Sequence, residues 1–247
     1  MTAVIDAKGI YYKQLNEQIR SSLDKGEKNI LIKNVNGQRY IGDGVTGSQS
    51  LIVEGTPGND MAAFMNGLEI EVKGNSQDGT GNTMNAGRVI IHGHTGDTTG
   101  YAMRGGEIFV RDYVGYRVGI HMKEYMDIIP AIVIGGTAGD FLGEYMAGGI
   151  LMLLGLDMKE GEEIAGDYCG TGMHGGVMYI RGDISEYKLG KEVKIVELTD
   201  EDNEVVHKYV KQYVEYFGGS VEKILSKPFS KLIPFNKRPY GNLYTHW

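Results

Sequence analysis

The sequence predicts an all-β protein: a single-stranded, right-handed parallel β-helix of about six to seven coils with short helical caps at both ends. A unit of about 19 residues recurs through the centre of the chain, as expected of a solenoid. Glycine supplies 38 of the 247 residues, about twice its average share, and proline only 5. Because glycine reaches positive φ without steric cost, this composition indicates an ordered backbone with many tight corners. We expect an N-terminal helical cap at 1–28, a β-helix repeat domain at 29–198, and C-terminal helices with an aromatic tail at 199–247.

Methionines mark the repeat most clearly. Four of them follow one another at one constant interval: Met65, Met84, Met103 and Met122. Mostly small or turn-forming residues, with Gln77 and Tyr116 as exceptions, precede them at fixed places: Gly58, Gln77, Gly96 and Gly115 seven before, Asn59, Asp78, Asp97 and Tyr116 six before, and Ala62, Gly81, Gly100 and Gly119 three before. A triplet typical of a β-strand follows the first three methionines, at Ile70–Val72, Val89–Ile91 and Ile108–Val110.

Two further units continue the pattern at longer intervals. Met146 follows Met122, and Met173 follows Met146, each at a greater distance along the chain than the regular unit allows. The extra residues predict two insertions, one near Lys123–Pro130 and one near Gly155–Glu162. The first falls between a methionine and the next strand, and the second between a strand and the next methionine. We therefore expect the two insertions at different corners of the solenoid.

A unit of this size fits one coil of a solenoid. Ankyrin, TPR and armadillo units are longer and need helical periodicity. In a β-helix, successive coils stack about 4.8 Å apart with backbone bonded to backbone. The methionines would then form an interior ladder, and the recurrent Asn or Asp would bond the backbone at a corner. Parallel crossovers favour right-handed coiling.

Both ends of the chain contain helical patterns. Apolar residues at helical spacing predict an amphipathic helix ended by Gly26: Tyr12, Leu15, Ile19 and Leu23. A strand at Asn29–Val35 follows, and Val193, Ile195 and Leu198 indicate a last strand. Beyond it, Thr199 is a predicted N-cap for a helix closed by Gly218–Gly219, and Ser220 is expected to begin a second short helix. The aromatic tail either packs on this chain, which we favour, or docks onto a partner.

Charge and cysteine content narrow the function classes. The formal net charge is −7, which disfavours nucleic-acid binding. The longest apolar run, Ile150–Leu156, is too short to span a bilayer, and the N-terminus lacks a signal-peptide pattern. A single cysteine, Cys169, fits a reducing compartment and cannot form an internal disulfide. We expect a cytoplasmic protein without membrane or nucleic-acid partners.

Each side chain that could bind a metal or act in catalysis also has a simpler interpretation as a structural residue. His92 and His94 have i, i+2 spacing suited to a metal, but no third ligand recurs at that phase. His121 and His174 each adjoin a ladder methionine, as corner residues would. Cys169 has only His174 nearby as a base, with no geometric reason to pair with it. The sequence therefore predicts no catalytic, cofactor-binding or metal-binding residue in this chain.

At G-[ND]-x-x-[GA]-x-x-M-x-G the sequence resembles a known family, the glycine-repeat (GXGXG) domain that ends the large subunit of glutamate synthase. The stretches NGQRYIGDG, GNTMNAGRVIIHGHTGD, GYRVGIHMKEY and GGTAGDFLGEYMAGG look like its free-standing form, and FSKLIPFNKRPYGNLY is similar to its closing segment. One subunit of formylmethanofuran dehydrogenase shares the coil pattern and is the alternative. An autonomous β-helix enzyme is a weaker alternative.

The resemblance implies a β-helix without catalysis of its own. In the family, the domain holds a glutaminase module and an FMN/iron–sulfur synthase module in register, so that ammonia from glutamine reaches 2-oxoglutarate. FMN and the iron–sulfur cluster belong to those partner subunits, and this chain is expected to carry no cofactor. The resemblance leaves self-association open.

Overall fold

The computed structural model describes residues 2–159 and 161–235. It contains eleven strands, three α-helices and one short 3-10 turn within that part of the chain: β1 (Thr2–Asp6), α1 (Tyr12–Asp24), β2 (Asn29–Asn36), β3 (Ser50–Thr56), β4 (Asn66–Val72), β5 (Ala86–Ile91), β6 (Glu107–Val110), β7 (Ala131–Ile134), β8 (Ala147–Leu153), β9 (Gly175–Arg181), the turn Glu186–Lys188, β10 (Val193–Val196), α2 (Asp200–Phe217), α3 (Val221–Leu225) and β11 (Phe229–Pro234).

One sheet joins all these strands in the order β1-β2-β3-β4-β5-β6-β7-β8-β9-β11-β10. Strands β1 to β9 pair in parallel, each with the next strand along the chain. A sheet built this way requires the chain to return to the same edge after every strand, which is the path of a solenoid. The predicted parallel β-solenoid is therefore confirmed, with about six turns.

The core consists of side-chain ladders that run through the coils. The six repeat methionines are fully buried: Met65, Met84, Met103, Met122, Met146 and Met173. A second ladder follows the strand register with fully buried aliphatic and methionine side chains: Leu51, Ile70, Val89, Ile108, Ile132, Leu151 and Met178. Each coil buries its apolar side chains against its neighbours, so stability accumulates coil by coil.

The segment before each methionine makes the corners. The glycine three residues before the methionine has a positive φ, for example +72° at Gly81 and +70° at Gly100. A Cβ built on Gly81 would lie 2.4 Å from Ile108 Cδ1 of a neighbouring coil. The left-handed backbone and the close approach of the next coil therefore favour glycine there, although Ala62 takes the same conformation in the first unit.

The recurrent Asp residues bond neighbouring coils at these corners, as predicted. The backbone N–H of Asp97 donates to Asp78 Oδ1 (2.9 Å), and that of Tyr116 donates to Asp97 Oδ1 (2.9 Å). The same bond recurs further along, from Asp167 N–H to Asp140 Oδ1 (2.8 Å). These carboxylates satisfy backbone donors and hold the coils in register.

The N-terminal end is closed by α1, whose predicted position is confirmed. Leu15 and Ile19 are buried and belong to the same apolar cluster as the solenoid interior. The sequence pattern did not predict β1, which precedes the helix and pairs in parallel with β2. Residues 2–24 therefore form a strand followed by a helix, because Thr2–Asp6 finds a backbone partner at the exposed edge of the first coil.

The C-terminal helices begin and end where the sequence predicts, but α2 lies on the side of the solenoid. Its Thr199 N-cap and Asp202 form a capping box. A second apolar cluster joins α2 to the outer face of β6–β9: Phe109, Val133, Met152 and Tyr179 on the strands, with Val206, Tyr209, Val210 and Tyr213 on the helix. The Tyr213 hydroxyl also donates to the Arg111 carbonyl (2.8 Å).

The C-terminal edge of the sheet is completed by antiparallel strands. Strand β11 pairs with β9, and β10 then pairs with β11 on its far side. The last strand that Val193, Ile195 and Leu198 indicated is present over Val193–Val196, but its neighbour is the beginning of the tail and not the previous coil. Residues 229–235 of the tail thus pack on this chain, and residues 236–247 lie outside the described part of the structure.

Candidate interaction surface

The two histidines with metal-like spacing have different partners. His92 Nε2 lies 2.7 Å from Glu71 Oε1, and the His92 ring meets the Phe217 ring edge-on. His94 stacks on Tyr113, with ring centroids 4.6 Å apart. Across residues 2–159 and 161–235 no group of three His, Cys, Asp or Glu side chains could hold a metal. Both imidazoles therefore have structural contacts: His92 with Phe217 and the Glu71 carboxylate, and His94 with Tyr113.

Cys169 is a core residue. Its side chain is fully buried in the interior apolar cluster. Burial raises the pKa of the Cys169 thiol to about 12. The thiolate is the nucleophilic form of cysteine, so this thiol is inert at neutral pH. His174 makes a contact of its own, with Nδ1 3.1 Å from the Gly172 carbonyl oxygen.

His121 belongs to a row of rings on the outside of the coils. The His121 ring stacks on Tyr145 (centroids 5.3 Å apart) and meets Tyr101 edge-on (5.9 Å). His121 and Tyr145 each stand directly before a ladder methionine, and Tyr101 stands two residues before one. Consecutive coils thus place these rings side by side. The sequence pattern singled out His121 alone, although the position that His121 and Tyr145 share in their coils was a usable signal for this contact.

A second row lies on the same segment, five residues before the methionines. The Arg117 guanidinium carbon is 4.4 Å from the centroid of the Phe141 ring, and Phe141 stacks on Tyr168 with centroids 5.1 Å apart. Arg117 also pairs with Glu144, which is buried. Tyr168 remains exposed.

The first insertion places apolar side chains in solvent. Tyr125, Met126 and Ile128 are 62%, 78% and 53% exposed, and Ile129 is also exposed. The loop is nonetheless ordered, because Tyr125 and Ile128 exchange two backbone hydrogen bonds (3.1 and 3.0 Å). The sequence predicted the insertion but not the exposure. Several large apolar side chains exposed in one short segment are typical of a protein interaction site.

Comparison with known proteins agrees with this architecture. The family model described as the GXGXG motif matches residues 13–237. The chain belongs to the GXGXG motif family. The resemblance to the glutamate synthase GXGXG domain is thereby confirmed, whereas the link to formylmethanofuran dehydrogenase remains a hypothesis.

The match to the GXGXG family spans α1, every coil and the C-terminal helices. The chain is also 48% identical over 251 residues to an uncharacterized protein of Methanocaldococcus jannaschii, covering 98% of this chain and 96% of that protein. No helix in the described ranges, 2–159 and 161–235, is long and apolar enough to cross a lipid bilayer.

Proposed function

We propose that this chain is a non-catalytic structural subunit of a glutamate synthase-type complex. It would hold a glutaminase subunit and an FMN/iron–sulfur synthase subunit together, so that glutamate forms from glutamine and 2-oxoglutarate. The observation that carries the proposal is the family match over residues 13–237, together with the resemblance of the sequence to the free-standing glutamate synthase domain.

The side-chain chemistry supports placing the cofactors on partners. An iron–sulfur cluster needs several cysteine thiolates as ligands. This chain has one cysteine, and its thiol is buried with a raised pKa. These residues do not fit the cluster, so we assign the redox chemistry to other subunits. The buried thiol also suits the reducing cytoplasm, where we place the complex.

The length of the solenoid suits a spacer between two partner modules. Nine parallel strands at about 4.8 Å per step span about 40 Å from β1 to β9. The interior along this length is filled by the methionine and aliphatic ladders. Ammonia passing between two modules would therefore travel along the outside of the coils, in a space that the partners enclose.

A mild native purification from the source cells, followed by mass spectrometry, tests the proposal. Glutaminase and FMN/iron–sulfur synthase subunits should co-purify in fixed ratio with this chain. Removing the chain should then abolish glutamine-dependent glutamate formation more strongly than ammonia-dependent formation. Co-purification of a tungsten or molybdenum dehydrogenase would instead support a formylmethanofuran dehydrogenase-type complex, and a lone chain would contradict both.

A further inference from the structure

The insertion at 123–130 forms a turn that is closed by hydrogen bonds and tied by another to the next coil. Met126 has φ +52°, a left-handed conformation that costs a residue with a side chain about 1 kcal/mol. The Tyr125–Ile128 backbone pair keeps the turn closed, and the Glu124 carboxylate accepts the Gly149 N–H (2.9 Å). The loop therefore presents Met126, the most exposed large apolar side chain in the described ranges, without further ordering. A preordered loop loses little entropy on binding.

A groove lies beside this loop. Its volume is about 690 Å³, and one wall is formed by Tyr125 and Ile128. The floor includes Gly87 and Gly106, where close backbone packing leaves no space for a side chain. A Cβ on Gly106 would lie 2.7 Å from the Gly87 carbonyl oxygen. The groove is open to solvent and large enough for a few side chains from another protein.

Two cations line the groove. Arg104 and Lys123 stand directly after ladder methionines in successive coils, so their backbones are about 4.8 Å apart. Both side chains are exposed, and neither has a carboxylate within 4.0 Å in the described part of the chain. On a chain of net charge −7, two adjacent cations without such partners favour an acidic ligand.

We infer that the loop 123–130 and this groove are the docking site for a partner-subunit segment that carries carboxylates beside an apolar side chain. The carboxylates pair with Arg104 and Lys123, and the apolar side chain packs against Tyr125, Met126 and Ile128. This inference rests on the proposed function, because the partner is one of the two modules that the chain holds together.

Binding measurements with the full-length chain test the docking site. Purified glutaminase and synthase subunits are titrated separately by calorimetry at low and high salt. Met126→Asp places a charge in the apolar contact, and Arg104→Glu with Lys123→Glu reverses the cations. Both variants should raise Kd for one subunit by about tenfold or more, and the charge reversal should also remove the salt dependence.

Matched controls separate a docking effect from a general surface effect. Tyr187 is 74% exposed elsewhere on the solenoid, so Tyr187→Asp should leave Kd within about twofold of wild type. Lys13→Glu with Lys28→Glu makes the same charge change at exposed N-terminal positions and should have an equally small effect. Circular dichroism confirms that each variant is folded.

Three results would overturn the inference. If wild type binds a subunit and the loop and groove variants bind it equally well, the docking site lies elsewhere and the proposed function stands. If wild type binds neither subunit, the proposed function fails and the inference fails with it. If the chain forms a dimer that Met126→Asp dissociates, the groove is filled by a second copy and not by a partner subunit.

Discussion

Asp202 joins three elements of the structure, and its replacement by Asn should show how strongly α2 is held to the solenoid. Asp202 Oδ1 accepts a hydrogen bond from the Tyr179 hydroxyl of β9 (2.6 Å), and Oδ2 accepts one from Lys231 Nζ of β11 (2.5 Å). Oδ2 also accepts the Thr199 N–H at the helix N-terminus (2.7 Å). The Asp202 side chain is only 8% exposed, so these interactions are little screened by solvent.

The pKa of Asp202 indicates how much stability the Asp202→Asn substitution should remove. Burial alone would raise this pKa, but the bonds from Lys231, Tyr179 and Thr199 outweigh it and lower the pKa from 3.8 to about 2. That difference corresponds to about 2 kcal/mol of stabilisation of the folded chain. Asp202→Asn also leaves the Lys231 ammonium, 17% exposed, without its carboxylate. The lost pairing with Lys231 is already part of that difference, so we expect a total loss of about 2 kcal/mol at pH 7.

The pH dependence has a definite sign. Because the pKa of Asp202 is lower in the folded chain, its stabilising contribution is complete above about pH 5. The contribution should disappear as pH falls from about 4 to 2, so the stabilities of wild type and Asp202→Asn should converge in that range.

Urea denaturation followed by circular dichroism at pH 7 and pH 2.5 measures the difference in stability. Hydrogen exchange in α2 detects local undocking of the helix. Asp200→Asn, an exposed carboxylate in the same turn, is the control and should change stability by less than about 0.5 kcal/mol. A loss below about 0.5 kcal/mol for Asp202→Asn at pH 7, or one that does not shrink at pH 2.5, would refute this reasoning.

Three further predictions concern the coils. Gly87→Ala should destabilise the chain by about 3 kcal/mol or more, because its Cβ would lie 2.2 Å from the Leu68 carbonyl oxygen. Gly44→Ala, also at positive φ but with open space around it, should cost only about 1 kcal/mol. Equal losses of stability in urea denaturation would contradict the packing argument. Met103→Ala should cost about 2 to 5 kcal/mol through the cavity it leaves, while Met126→Ala, at a 78% exposed position, should leave the melting temperature nearly unchanged. Cys169 should resist Ellman's reagent in the native chain at pH 8 and react fully in urea, and rapid labelling of the native chain would show that its thiol is accessible.

The repeat could be predicted from the sequence because its constraints are local. The left-handed corner at Gly100 follows from glycine within one coil, the burial of Met103 from the regular interval of the methionines, and the ends of α2 from Thr199 and Gly218. Helix and strand boundaries marked by such residues depend little on the rest of the fold.

The parts that could not be predicted depend on contacts between distant segments. The position of α2 is set by Phe109 and Val133, whose outward-facing side chains need a cover. Their strands contain nearly continuous apolar runs, which indicate burial on both faces but not which element provides it. No local sequence pattern predicted strand β11 or the exposure of Met126. Strand β11 depends on the unpaired edge of β9, and the exposure of Met126 depends on the absence, among the described residues, of a neighbouring segment over the loop.

The insertion of β11 between β9 and β10 has a consequence for synthesis of the chain. Coils β2 to β9 can each join the sheet as they leave the ribosome, because every strand pairs with one already made. The free edge of β9, in contrast, pairs with β11, which begins at Phe229. Strand β11 is made only after β10, α2 and α3. Strand β10 emerges earlier but has no neighbour until β11 arrives. A nascent chain stalled before residue 229 therefore carries an open strand edge, which is the surface that aggregation requires and that chaperones shield.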